Sequence, residues 1–216
     1  MDKAIFVTYA ISTVGQVVRG RADKEHLPSR LATLCASVFA VVNISDDNRL
    51  LCRGLMHKYP ERCCAYCKHD ICDCGDNRPR FSSTANEESG QLNWKFYDWQ
   101  TMLDIRYGAY NRDKGPYFIF ARLSEEAQEL LLFVSGFRQS NKEMVSGLDW
   151  MAQLASESAD IVAWTLALAS YYHVDMTMVM KNYYGKVCPG CKKEECGCPL
   201  IFRGSDETAL VGTISK

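Results

Sequence analysis

Two acidic pairs in this chain share one internal spacing, Glu126 with Glu129 and Glu157 with Asp160. They lie in stretches 122–133 and 154–164, whose apolar periodicity reads as helical. Residues three apart fall about 60° from one another around a helix axis, so each pair projects from one face. Two such faces turned toward each other offer oxygen ligands to Mg²⁺, a hard cation that usually also holds substrate phosphates. Carboxylates at this spacing are commonly no more than a solvated face. Two features argue for more. Glu125, Glu126 and Glu129 place three acids within five residues, which repel unless a cation sits among them. Asp160 stands in a very apolar helix with few helical partners for its charge, and an unpaired buried carboxylate is costly.

A second chemistry resides in the cysteines. Eight of the eleven fall in two clusters, Cys64, Cys67, Cys72 and Cys74, then Cys188, Cys191, Cys196 and Cys198. Both read CxxC, four residues, CxC. Four thiolates so arranged complete a tetrahedral shell for Zn²⁺ and would knit a loop too short to build its own core. An Fe–S cluster uses the same ligands and stays open as the alternative. Thioredoxin-like redox chemistry fits poorly, because no βαβ pattern surrounds either CxxC. The expectation is two closed structural sites, about two zinc ions per chain. His69 is a spare ligand at best, and Cys35, Cys52 and Cys63 read as buried or incidental thiols.

The elements that must position these groups are helices throughout. Apolar periodicity predicts helices over 4–19, 29–44, 49–58, from 94 to about Tyr107-Gly108, 118–137, 148–172 and 176–184, with Asp175 capping the last. Residues 111–116 read as a polar turn, and 138–145 as a loop. No strand pair is evident, so the fold class is all-α. The division expected is a first helical unit over 1–75 ending in a cysteine loop, a linker over 76–93, a second unit over 94–198 ending in the other loop, and a tail over 199–216. The two units read as a tandem repeat. Setting Cys64 against Cys188 aligns Tyr59 with Tyr183, and upstream Thr13, Val14 and Val17 face Glu125, Glu126 and Glu129 while Arg30 and Thr33 face Glu157 and Asp160. The first unit would then be a scaffold that has lost every acidic ligand.

A formal charge of −1 over 216 residues gives no bulk attraction for nucleic acid or an anionic membrane, which makes a nucleic-acid partner unexpected. No apolar run reaches the roughly 18 residues of a membrane span, and the first residues lack a signal-peptide pattern. A cytoplasmic protein is the expectation.

Glu126-x-x-Glu129, twenty-seven intervening residues, then Glu157-x-x-Asp160 resembles the motif of the MazG-like, all-α nucleoside triphosphate pyrophosphohydrolases. Trp99-Gln-Thr-Met102, Tyr107-Gly108, Asn111-Arg112 and the Arg122-Leu123-Ser-Glu-Glu lead-in resemble that family's approach to its first acidic helix, so the likeness covers residues 94–185. It implies a helical bundle whose four acids bind Mg²⁺ and cleave a nucleoside triphosphate to monophosphate and pyrophosphate. It also implies Glu125 as the group orienting the attacking water, and Lys142, Lys181 or Asn182 as contacts to phosphate or sugar. Trp164, on the stripe of Glu157 and Asp160, reads equally as a base-stacking wall or a core tryptophan. Some members carry a cysteine-rich segment after the last helix, as here. Such bundles are often assembled from two chains, so the first unit would supply the partner helices, and a further homodimer stays open. Two other classes fit the same residues: a nucleotide-binding regulator without turnover, and a zinc-stabilised interaction adaptor.

Overall fold

The computed structural model describes residues 2–43, 49–60, 64, 67, 69–71, 93–139, 147–188 and 192–194, with side chains described throughout except at 2–4 and 136–149. Seven α-helices account for nearly all of it: α1 (Asp2–Val18), α2 (Leu27–Val42), α3 (Leu50–Lys58), α4 (Phe96–Lys114), α5 (Pro116–Gln139), α6 (Gly147–Tyr171) and α7 (Met176–Tyr184). A 3₁₀ turn over Lys24–His26 leads into α2. There is no strand among the described residues, and none of the helices is long and apolar enough to cross a membrane. The all-α expectation holds.

Local chemistry sets most helix ends. Gly20, at φ +67, closes α1, and Asp175 caps α7 by accepting a hydrogen bond from the Met178 N–H at 3.1 Å. One boundary differs from the sequence expectation. Tyr107-Gly108 does not end α4, which continues through the expected polar turn to Lys114. An isolated glycine costs a helix only about 1 kcal/mol, and Gly108 is buried together with Tyr107 and Asn111; a Cβ there would come within 2.2 Å of Asp104 Oδ1 and 2.9 Å of the Arg112 guanidinium. Asp104 and Arg112, at 2.7 Å, form an ion pair across the bare glycine surface. The chain turns instead at Gly115, at φ +80, a left-handed conformation that favours glycine, and Pro116 then opens α5.

The packing centres on α6, which touches α2, α3, α4 and α5. Its Leu154, Ile161, Leu166 and Leu168 are fully buried, each such side chain contributing about 1.5–3 kcal/mol. α1 packs on α2 and α5. The short helices cross over: α3 packs chiefly on α6 rather than on α2, and α7 packs on α2 and α4. One hydrophobic core runs through the whole, from Val7 of α1 to Met176 of α7. Close approach is built in at two glycines. A Cβ on Gly54 would sit 2.3 Å from the Ala155 carbonyl oxygen, so α3 lies directly against the α6 backbone. A Cβ on Gly15 would sit 2.4 Å from the Phe120 ring, where α1 meets α5.

Candidate metal centre

α5 and α6 bring their acidic faces together, as their shared packing requires. One carboxylate oxygen each from Glu126, Glu129 and Glu157 lies within 4.8 Å of the other two. Oxygens around an octahedral Mg²⁺ lie up to ~4.2 Å apart, twice the metal–oxygen bond, a little closer than the 4.8 Å limit that holds these three. Glu126 is buried at the base of the cluster, Glu157 is half-buried and Glu129 is exposed. The donor set is all carboxylate, the chemistry that suits a hard divalent cation.

Burial and mutual repulsion disfavour negative charge in this group. Burial, then Asp160 and Glu129, push the Glu126 carboxyl up to about 8, against the pull of Lys58 and Arg122. Glu157 is also raised, first by burial and then by Asp160 and Glu129, with Lys58 opposing. Three acids of one sign share a site where at least one holds a proton in the absence of a cation.

Asp160, the fourth acid, is committed elsewhere. Lys58 at the end of α3 forms an ion pair and hydrogen bond with Oδ2, and the Tyr59 hydroxyl donates to Oδ1 at 2.8 Å. These partners come from 102 and 101 residues away in the chain. Burial lowers the Lys58 ammonium, and Asp160, Glu157 and Glu126 more than offset it, so the net shift is upward. The Tyr59 hydroxyl is driven well above its ordinary range by burial, with Asp160 adding to it. Sequence reasoning missed both residues. The only hint was an acid in an apolar helix that needed a partner.

Glu125 is exposed and paired with Arg122, which also reaches Glu126 at 3.5 Å. The Arg122 guanidinium lies 5.8 Å from the centre of the Trp164 ring, and Phe118 meets the same ring edge-on at 6.1 Å. Trp164 is therefore half-buried beside the acids, whereas Trp99, at 3% exposure, is core. Lys181 and Asn182 are exposed on α7, whose packing partners are α2 and α4 rather than the acidic helices. Lys142 lies outside the described residues.

At the positions aligned with the acids, Arg30 is buried and donates to the Thr13 carbonyl oxygen and, at 3.1 Å, to Gln16 Oε1. An arginine and a threonine thus meet there in place of Glu157 and Glu125.

Of the eight clustered cysteines, Cys64, Cys67 and Cys188 are described, and Cys72, Cys74, Cys191, Cys196 and Cys198 lie outside the described residues. The two loops open alike. The Cys64 N–H donates to the His69 carbonyl at 2.8 Å, and the Cys188 N–H donates to the Lys193 carbonyl at 2.8 Å, the same five-residue closure in each. Arg106 of α4 fastens the first loop by donating to Pro60 O at 2.7 Å and Asp70 O at 3.3 Å. Cys35 is fully buried, and burial pushes its thiol up to about 12, which leaves it inert.

Comparison with family models, with curated proteins and with solved structures finds no match to this chain in any of the three.

Proposed function

We propose that the chain is a Mg²⁺-dependent nucleoside triphosphate pyrophosphohydrolase of the MazG-like kind, releasing monophosphate and pyrophosphate. The observation that carries this reading is the convergence of Glu126, Glu129 and Glu157 from two helices to within 4.8 Å, beside which burial, Asp160 and Glu129 raise the Glu126 carboxyl to about 8. Glu126, Glu129 and Glu157 would hold the metal, and Asp160 would join or buttress them. A bound Mg²⁺ supplies charge neutralisation at the phosphate oxygens and activation of water. The protein's own residues do the positioning. Lys58 and Tyr59 fix the orientation of Asp160. Arg122 shields the charge of Glu125 and Glu126 and lies against Trp164. Glu125, on the exposed rim, is the group assigned to orient the attacking water as a general base.

The tandem reading is part of the same proposal. The exchange of α3 onto α6 and α7 onto α2, the matching closures of the two cysteine loops and the contact of Arg30 with Thr13 are what two copies of one helical unit related by an approximate two-fold would give. The first copy has no acid at the aligned positions Thr13, Val14, Val17, Arg30 and Thr33 and contributes Lys58 and Tyr59 to the Asp160 contact, so one site per chain follows. Each cysteine loop is assigned a structural Zn²⁺ held by four thiolates.

The test is pyrophosphate release from a panel of common nucleoside and deoxynucleoside triphosphates with Mg²⁺, run beside Glu157→Gln. Turnover in the wild type that the variant loses supports the enzyme. Equal background from both proteins rejects it, and Mg²⁺-dependent nucleotide binding without release would point to a regulator instead.

A further inference from the structure

Lys58 lies in the last turn of α3, a position where a lysine is ordinarily explained by the helix carbonyls it faces. Its ammonium does something else, pairing with Asp160 Oδ2 on α6, and the two side chains keep only 24% and 12% of their exposure. The Tyr59 hydroxyl donates to the other oxygen at 2.8 Å, so both oxygens of the fourth acid are engaged. The three acids whose oxygens fall within 4.8 Å of one another are the other three, Glu126, Glu129 and Glu157. The charges of Glu157 and Glu126 act on the Lys58 ammonium as well, so a positive charge delivered by a distant helix stands beside the cluster. Arg122 differs from it. That guanidinium is 40% exposed and pairs along its own helix, with Glu125 and, at 3.5 Å, with Glu126.

We infer that Lys58 is a tethered counter-cation that withholds Asp160 from the metal, so that three carboxylates hold the divalent cation and Lys58 sets how tightly they do so. The inference rests on the metal-dependent reading above and concerns the regulation of that same site. An ammonium has three donors and no acceptor, so it cannot join a ligand shell. It acts on an arriving cation in two ways, as a like charge at short range and as the owner of an oxygen the metal would otherwise take. Three carboxylates leave positions of an octahedral shell for water and phosphate oxygens. The device is built by close packing: bare Gly54 sets α3 against the Ala155 carbonyl of α6, and Lys58 follows one turn later. Lys58 and Tyr59 are thus positioning residues, acting on the metal through Asp160.

The experiment titrates Mn²⁺, a cation with the same preference for carboxylate oxygen, into the full chain without nucleotide and reads the dissociation constant by calorimetry. Lys58→Met should bind Mn²⁺ about tenfold or more tighter than the wild type, the scale on which the neighbour of a ligand tunes a metal. Adding Asp160→Asn to Lys58→Met should return the constant to within about threefold of the wild type, because the released acid is the ligand gained. Arg122→Leu removes an equal charge from the rim without releasing an acid, and should gain only about twofold, the worth of an exposed pair. Unchanged or weaker binding in Lys58→Met makes the lysine a plain buttress and overturns the inference. So does an equal gain in Arg122→Leu, or a double variant that keeps the gain. If Lys58→Met is unfolded without metal, its melting with saturating Mn²⁺ decides: recovery of a folded chain supports the released ligand, and no recovery rejects it. Because no turnover is read, affinities that behave as expected in a chain that cleaves no triphosphate reject the pyrophosphohydrolase reading alone. Absence of Mn²⁺ binding in both the wild type and Lys58→Met sinks the inference.

Discussion

Glu126 ties stability to the proposed activity at a single side chain. In the unfolded chain its carboxyl titrates near the ordinary 4.5, and in the fold burial, Asp160 and Glu129 raise it to about 8. Between these values the folded protein keeps a proton that the unfolded chain has released. The metal-free fold is therefore fully stable with respect to this group below about pH 4.5 and loses stability as pH rises toward 8. Glu157 is raised as well and adds in the same direction. The full shift corresponds to ~5 kcal/mol as an upper bound; a realised loss of ~2 kcal/mol would lower the melting temperature by roughly 4–8 °C in a chain of this size. Thermal melts of protein without added Mg²⁺ at pH 5.5 and pH 8.5 should show that drop, and Mg²⁺ at pH 8.5 should reverse it. A melting temperature that does not fall with pH would contradict the assigned burial. Glu126→Gln separates the two roles: pyrophosphate release should fall by about 100-fold or more, as for loss of a metal ligand, while the metal-free melting temperature at pH 8.5 should rise.

At the scale of elements, α3 is a delivery device. Bare Gly54 brings it against the carbonyl of Ala155, and only at that separation do Lys58 and Tyr59 reach Asp160 from the next turn. Gly54→Val has no room to avoid the α6 backbone. It should cost about 1–3 kcal/mol of stability as an overpacked contact and reduce turnover in concert, read by denaturant melts and pyrophosphate release. A milder probe keeps the fold. Tyr59→Phe removes one hydrogen bond to a charged acceptor, worth about 1.5–3 kcal/mol, and should weaken the wild type more than it weakens Asp160→Asn. A double-mutant cycle on melting free energy measures that coupling, and additivity would show that the Tyr59–Asp160 contact carries no energy.

For the whole molecule, a single core from Val7 to Met176 and the crossing of α3 onto α6 mean that the two halves are not separable parts. A fragment beginning at residue 94 would lack Lys58 and Tyr59 and would expose the α6 surface that α3 covers. It should show no turnover and bind a hydrophobic dye that the full chain does not. The cysteine loops act at this scale too, since Arg106 fastens the first of them to α4. Elemental analysis of the purified chain should find about two zinc ions, falling to about one in either Cys64→Ser or Cys188→Ser. Iron in place of zinc, or no metal, would overturn the structural-zinc assignment.

Sequence alone determined what periodicity and local chemistry control. The all-α class, most helix limits, the Asp175 cap and the shared faces of the two acidic pairs follow from spacing along one helix or one turn. Even within a helix its reach ended at Gly108, a residue that often stops a helix but here is buried inside α4. Tertiary structure decided who meets whom. It set three acids within 4.8 Å and gave the fourth to Lys58 and Tyr59 at the end of a distant helix. None of these pairings has a period or a local motif. Each depends on how closely two helices far apart in the chain can approach, and small residues such as Gly54 and Ala155 set that distance only once both are in place.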